Sequence, residues 1–77
     1  MILINIKQKE NINENFVNIN SASEEELTSL KHIGHAMALR IIEYRETHGG
    51  FLSIDEIKNV RGIGQTVFED IKNYICV

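Results

Sequence analysis

The sequence predicts an all-α domain made of two copies of one unit, a helix, a tight hairpin and a second helix. Two observations carry this reading. The chain repeats itself at an offset of thirty residues: Ser23 with Ser53, Glu26 with Glu56, Ile33 with Ile63, Gly34 with Gly64, Ile41 with Ile71, Tyr44 with Tyr74. Apolar residues also recur at helical spacing on both sides of two glycine-bearing breaks, at 31–34 and 61–64. Neither half can bury its own apolar stripe, so the two are expected to share one core about a pseudo-two-fold axis.

Composition bounds the rest. A chain of 77 residues makes one small domain with a core near the lower limit of independent stability. Hydrophobic residues at 43% and charged residues at 25% are those of an ordinary globular protein. Cys76 is the sole cysteine, which excludes an internal disulfide and a thiolate metal cluster. The apolar opening "MILINI" is far shorter than the ~20 residues of a membrane span and lacks a signal-peptide cleavage pattern.

The elements follow in order. Residues 1–16 read as an N-terminal extended arm or linker, β-prone in "MILINI" and polar in "KQKENINENF". From Val17 onward the pattern reads as helical. Ser23 and Glu26 form a capping box that opens a helix over 24–31, with Leu27 and Leu30 inward. A longer helix over 35–48 carries Ala38, Ile41, Ile42 and Arg45 at helical spacing and stops at Gly49, a good C-cap. A second capping box, Ser53 with Glu56, opens a short third helix bearing Ile57 and Val60. The last helix, over 65–75, presents Val67, Phe68, Ile71 and Ile75 on one side. The expected core is Leu30, Ile33, Ile41, Phe51, Ile57, Val60, Ile63, Phe68 and Ile71.

The hairpin glycines need a reason, since each costs a helix interior roughly 1 kcal/mol relative to alanine. A tight turn between helices needs φ > 0 or no Cβ in the way. It also leaves the first amides of the next helix without intrahelical partners, at the positive end of the helix dipole, where an anion fits. "GIG" at 62–64 therefore reads as a backbone phosphate clamp in which Gly62 and Gly64 leave the amides open, Ile63 plugs the turn into the core, and Thr66 adds a hydroxyl.

Other residues admit plainer uses. Glu24, Glu25 and Glu26 suit the dipole at a helix start better than a metal cluster. His32 and His35 have the spacing of two zinc ligands, but no further ligand stands nearby in sequence, and histidine tolerates φ > 0. Tyr44 and Tyr74 recur by symmetry and are expected to pack rather than stack on bases. Arg45 is expected to tie its helix to the linker. Lys31 and Arg61 flank equivalent hairpins and suit phosphate contact.

"VNINSAS", "IIEYRETHGGF" and "SIDEIKNVRGIG" together resemble, across residues 17–75, the tandem helix-hairpin-helix domain of ComEA-type bacterial competence DNA receptors. The resemblance implies a tandem helix-hairpin-helix fold over 17–77 that binds double-stranded DNA without sequence preference, each hairpin holding one strand through backbone amides. The implied phosphate-binding residues are Lys31, His32, Gly34, His35 and Ala36 at the first hairpin, and Arg61, Gly62, Ile63, Gly64 and Thr66 at the second. DNA-uptake channel proteins are the further partners implied, and the domain is expected to be a monomer in isolation. No cofactor, metal or enzymatic activity is expected: no carboxylates converge for a nuclease, and no aspartate follows the hairpin as in a glycosylase of related fold. The expected location is extracytoplasmic and membrane-anchored if the chain is a fragment of such a receptor, cytoplasmic if Met1 is a natural start.

The chain departs from the family pattern. His32 replaces the first glycine of the first hairpin and Met37 a lysine, while Gln65, Thr66 and Asp70 stand where proline and lysines are usual. The whole net charge of −3 lies in the repeat, because Lys7 and Lys9 balance Glu10 and Glu14. Weak, salt-sensitive binding follows, carried mostly by the second hairpin. Gly64→Val is expected to strain the turn and block a phosphate. Protonation of His32 and His35 is expected to raise affinity as pH falls through the histidine range. The alternative is a protein-interaction scaffold, since the photosystem II extrinsic protein looks like the same tandem fold used without DNA.

Overall fold

Ser23 opens the first helix as a capping box should: its Oγ accepts the Glu26 amide at 3.1 Å, and Glu26 Oε1 accepts the Ser23 amide at 2.9 Å. The computed structural model describes residues 16–77. In chain order the elements are β1 (Val17–Asn18), α1 (Glu24–Thr28), α2 (His35–His48), a 3-10 helix (Ile54–Asn59), α3 (Gln65–Ile71) running on as a 3-10 turn (Lys72–Tyr74), and β2 (Ile75–Cys76). The reading of residues 1–15 as an arm lies outside the described residues. Among the described residues, no helix is long and apolar enough to cross a membrane.

Three boundaries differ from the sequence reading. Helix α1 ends at Thr28 rather than 31, where the hydroxyls of Thr28 and Ser29 turn back onto the carbonyls of Glu25 and Glu26 at 2.9 and 2.6 Å. The second capping box does not form. Ser53 makes no side-chain cap bond, and Glu56 Oε1 instead accepts the Leu52 amide at 2.9 Å, so Ile54–Asn59 winds as 3-10 helix. The last α-helix stops at Ile71, and Ile75–Cys76 pairs in parallel with Val17–Asn18, a segment expected to be helical. The register sets Val17 against Ile75 and Asn18 against Cys76, and Ile19 N donates to the Cys76 carbonyl at 2.9 Å.

Every residue of the expected core is buried, joined by Ile19, Ala22, Leu27, Ala38 and Ile75. Burial repeats with the sequence: Leu27 with Ile57, Leu30 with Val60, Ile33 with Ile63, Ala38 with Phe68, Ile41 with Ile71. Full burial of each large aliphatic side chain stabilises by about 1.5–3 kcal/mol, so the shared centre holds both units together. Ala38 opposite Phe68 in this scheme shows how symmetry yields to volume: a small and a large side chain fill equivalent places.

Polar ties close the joins between units. The Asn20 side chain accepts the Phe51 amide at 2.7 Å and donates to the Phe51 carbonyl at 3.0 Å. Arg45 donates to the Ile19 carbonyl at 3.1 Å and so ties α2 to the segment that opens the domain. Tyr44 stacks between His48 and Phe51, with ring centroids 3.9 and 5.0 Å away, while its counterpart Tyr74 is 58% exposed and does not share that packing role. The difference is positional: Tyr44 lies mid-domain against the 3-10 helix, where Asn59 Nδ2 donates to its hydroxyl at 3.1 Å, whereas Tyr74 sits at the chain's edge before β2.

Candidate nucleic-acid interface

Each hairpin is a three-step device. The chain leaves the preceding turn through i to i−3 bonds, Leu30 N to Leu27 O and Ile33 N to Leu30 O in one unit, Val60 N to Ile57 O and Ile63 N to Val60 O in the other. It then needs one left-handed residue, which is His32 at φ 72° and Gly62 at φ 99°. A histidine thus takes the conformation that glycine takes in the second unit, as the sequence suggested. Finally Gly34 and Gly64 cap the following helices with nearly identical backbones, φ −96° and ψ −170° against φ −97° and ψ −165°.

The result is two matching helix starts. The first intrahelical bonds are Ala38 N to Gly34 O and Phe68 N to Gly64 O. Among the described residues no acceptor takes the amides of Gly34, His35, Ala36 and Met37, or those of Gly64, Gln65, Thr66 and Val67. A Cβ built on Gly34 or Gly64 would meet nothing within 4 Å, so both starts are open to an incoming group. Gly64 lies outside the left-handed region, so the strain expected of Gly64→Val is absent; the strain belongs to Gly62. A Cβ there would stand 2.8 Å from Met37 Sδ and 3.0 Å from an Arg40 guanidinium nitrogen.

Residues expected at the site divide accordingly. Ile63 is its anchor only: the side chain is 2% exposed and the amide is spent on Val60 O. Ala36 and Thr66 lie at equivalent exposed positions in the first turn of α2 and α3, and the Thr66 hydroxyl has no partner among the described residues. Lys31 and Arg61 are exposed beside their hairpins and make no ion pair among the described residues. His32 and His35 are already engaged, His32 Nε2 with Asp70 Oδ2 at 2.8 Å and His35 Nδ1 with Glu24. Each imidazole therefore already faces a carboxylate of another element. Among the described residues no three His, Cys, Asp or Glu side chains converge as metal ligands.

Sequence reasoning missed two cations. Arg40 Nη1 donates to the Arg61 carbonyl at 3.2 Å and so braces the second hairpin. Lys58 donates to Gln65 Oε1 at 3.2 Å, at the start of α3, with its ammonium 4.8 Å from the Phe68 ring centroid. The repeat carried the signal for Arg40: thirty residues on stands Asp70, and these two reach across to opposite hairpins in the same way.

Residues 12–76 match the family model for the helix-hairpin-helix motif. The chain belongs to the helix-hairpin-helix family. It is 48% identical over 61 residues to ComE operon protein 1 of Bacillus subtilis, a stretch covering 79% of this chain and 30% of that protein. This likeness bears out the resemblance to ComEA-type domains. Over 66 residues it is 44% identical to the human endonuclease/exonuclease/phosphatase family domain-containing protein 1, covering 86% of this chain and 12% of that one. An uncharacterized protein of Haemophilus influenzae is 38% identical over 60 residues, with 77% of this chain and 54% of that protein covered. The helix-hairpin-helix chain is thus a small part of the length of the first two of these relatives.

Proposed function

We propose that this domain is a non-catalytic DNA-binding module that holds the sugar-phosphate backbone through the open amides of its hairpins, in a DNA-uptake setting like that of ComEA-type receptors. The observation that carries the reading is the open start of α3: four amides without acceptors among the described residues, at the positive end of the helix, with no side chain on Gly64 to cover them. Family membership and the likeness to ComE operon protein 1 support DNA as the ligand. Amide-to-phosphate contacts carry no base information, so binding is indifferent to sequence. The net charge of −3 and the small number of cations near the hairpins make it weak.

Fluorescence anisotropy with a labelled duplex tests this. Affinity should fall as salt rises from about 50 to 200 mM, with a log-log slope near −2 for the few cations near the second hairpin. Duplexes of different sequence should agree within about threefold, because each well-read base pair is worth a far larger factor. A preferred site recovered from a random pool, or no binding at the lower salt, would overturn the proposal. The second of those outcomes favours the scaffold reading.

A further inference from the structure

Arg40 and Asp70 are counterparts in the thirty-residue repeat, and each reaches from its own helix to the other unit's hairpin. Arg40 Nη1 meets the Arg61 carbonyl at 3.2 Å, and Asp70 Oδ2 meets His32 Nε2 at 2.8 Å. One place in the fold therefore holds a cation beside the second hairpin and a carboxylate beside the first. The surroundings widen the contrast. Arg40 and Arg61 line an open groove of about 390 Å³ together with Tyr44, Asn59 and Glu43. Neither guanidinium makes an ion pair among the described residues. Beside the first hairpin a second carboxylate, Glu24, occupies His35.

Resting on the DNA-binding reading above, we infer that the domain grips one strand only: the second hairpin and the Arg40–Arg61 groove hold a single sugar-phosphate backbone, while Asp70 and Glu24 keep the first hairpin from the other. A phosphate approaching the first hairpin meets two carboxylates, Asp70 on His32 and Glu24 on His35, against one exposed lysine, Lys31. A phosphate approaching the second hairpin meets three cations, Arg61, Arg40 (whose Nη1 is bonded to the Arg61 carbonyl) and Lys58 on Gln65, against two carboxylates, Glu43 in the groove and Glu69 on Gln65. The substrate class is then DNA with any accessible backbone, single strand as well as duplex. Asp70 is the residue that withholds duplex selectivity.

The test compares the full chain's affinity for a labelled single strand of about twenty nucleotides, longer than a single-strand binding site, with that for the matching duplex. The two dissociation constants should agree within about threefold, the remainder reflecting the higher charge density of the duplex. Asp70→Lys should restore a cation at the counterpart of Arg40, raising duplex affinity about tenfold with a smaller gain for the single strand, and steepening the duplex salt slope by about one. Arg40→Gln should weaken both ligands alike. Asp70→Asn, which keeps the side chain's shape, should move duplex affinity in the same direction as Asp70→Lys and guards against a folding defect in the latter. A parent chain that prefers duplex tenfold or more, or an Asp70→Lys gain equal for both ligands, overturns the inference and leaves DNA binding standing. Absence of binding to either ligand at low salt overturns DNA binding itself.

Discussion

Gly64→Ala and Gly62→Ala each add one carbon to the same hairpin, two residues apart, and the structure assigns them opposite consequences. At Gly64 the backbone has φ −97° and ψ −165°, which any residue adopts, and the new methyl would meet nothing within 4 Å. Alanine is a poorer N-cap than glycine by several tenths of a kcal/mol, and the loss of unfolded-state freedom returns a similar amount, so stability should change by less than about 0.5 kcal/mol. The methyl does stand on the open side, where a phosphate would approach the α3 amides. Hydrogen bonds to a charged group contribute about 1.5–3 kcal/mol, so loss of one such contact should weaken DNA binding by roughly tenfold or more. At Gly62 the backbone has φ 99°, and the methyl would crowd Met37 Sδ at 2.8 Å and Arg40 at 3.0 Å. Both neighbours are ends of flexible side chains and can yield, which leaves the left-handed backbone as the main cost, about 1–3 kcal/mol. For a domain of this size that lowers Tm by roughly 4–24 °C. Thermal melts and anisotropy titrations on both variants decide the matter. A Gly64→Ala protein that is folded and binds like the parent refutes the open-amide argument. A Gly62→Ala protein as stable as the parent refutes the assignment of strain.

Two further outcomes follow from named contacts. Ser23→Ala should cost about 1 kcal/mol in urea unfolding because its hydroxyl caps α1, while Ser53→Ala at the repeat-equivalent position, where no cap bond forms, should be close to neutral. The Glu69 carboxyl is held below the ordinary glutamate value by hydrogen bonds from Lys72 and Gln65 and by the Lys72 charge. Its contribution is therefore present above the ordinary glutamate value and lost as pH falls through the lowered one. A carboxyl-carbon NMR titration should place its midpoint below that of a model glutamate, and Lys72→Met should move it back up.

The thirty-residue repeat was enough to place both hairpins, to name nine core residues and to pair Gly34 with Gly64 as equivalent hairpin positions, because those features depend on local spacing and on the one residue type without a Cβ. His32 at positive φ was legible for the same local reason. Tertiary contacts decided the remainder. Val17–Asn18 becomes a strand only because Ile75–Cys76, at the far end of the domain, offers it backbone partners, and no local pattern encodes a pairing over that separation. Ser53 and Glu56 carry a capping-box signature, yet Glu56 accepts the Leu52 amide instead, in a segment whose entry at Phe51 is held by Asn20. The charges at the hairpins were legible as a list but not as a pattern. Asp70 is a departure from the family in sequence, and only the folding of one unit against the other sets it on His32 while Arg40 lands on Arg61, so that two hairpins alike in backbone differ in the field they present.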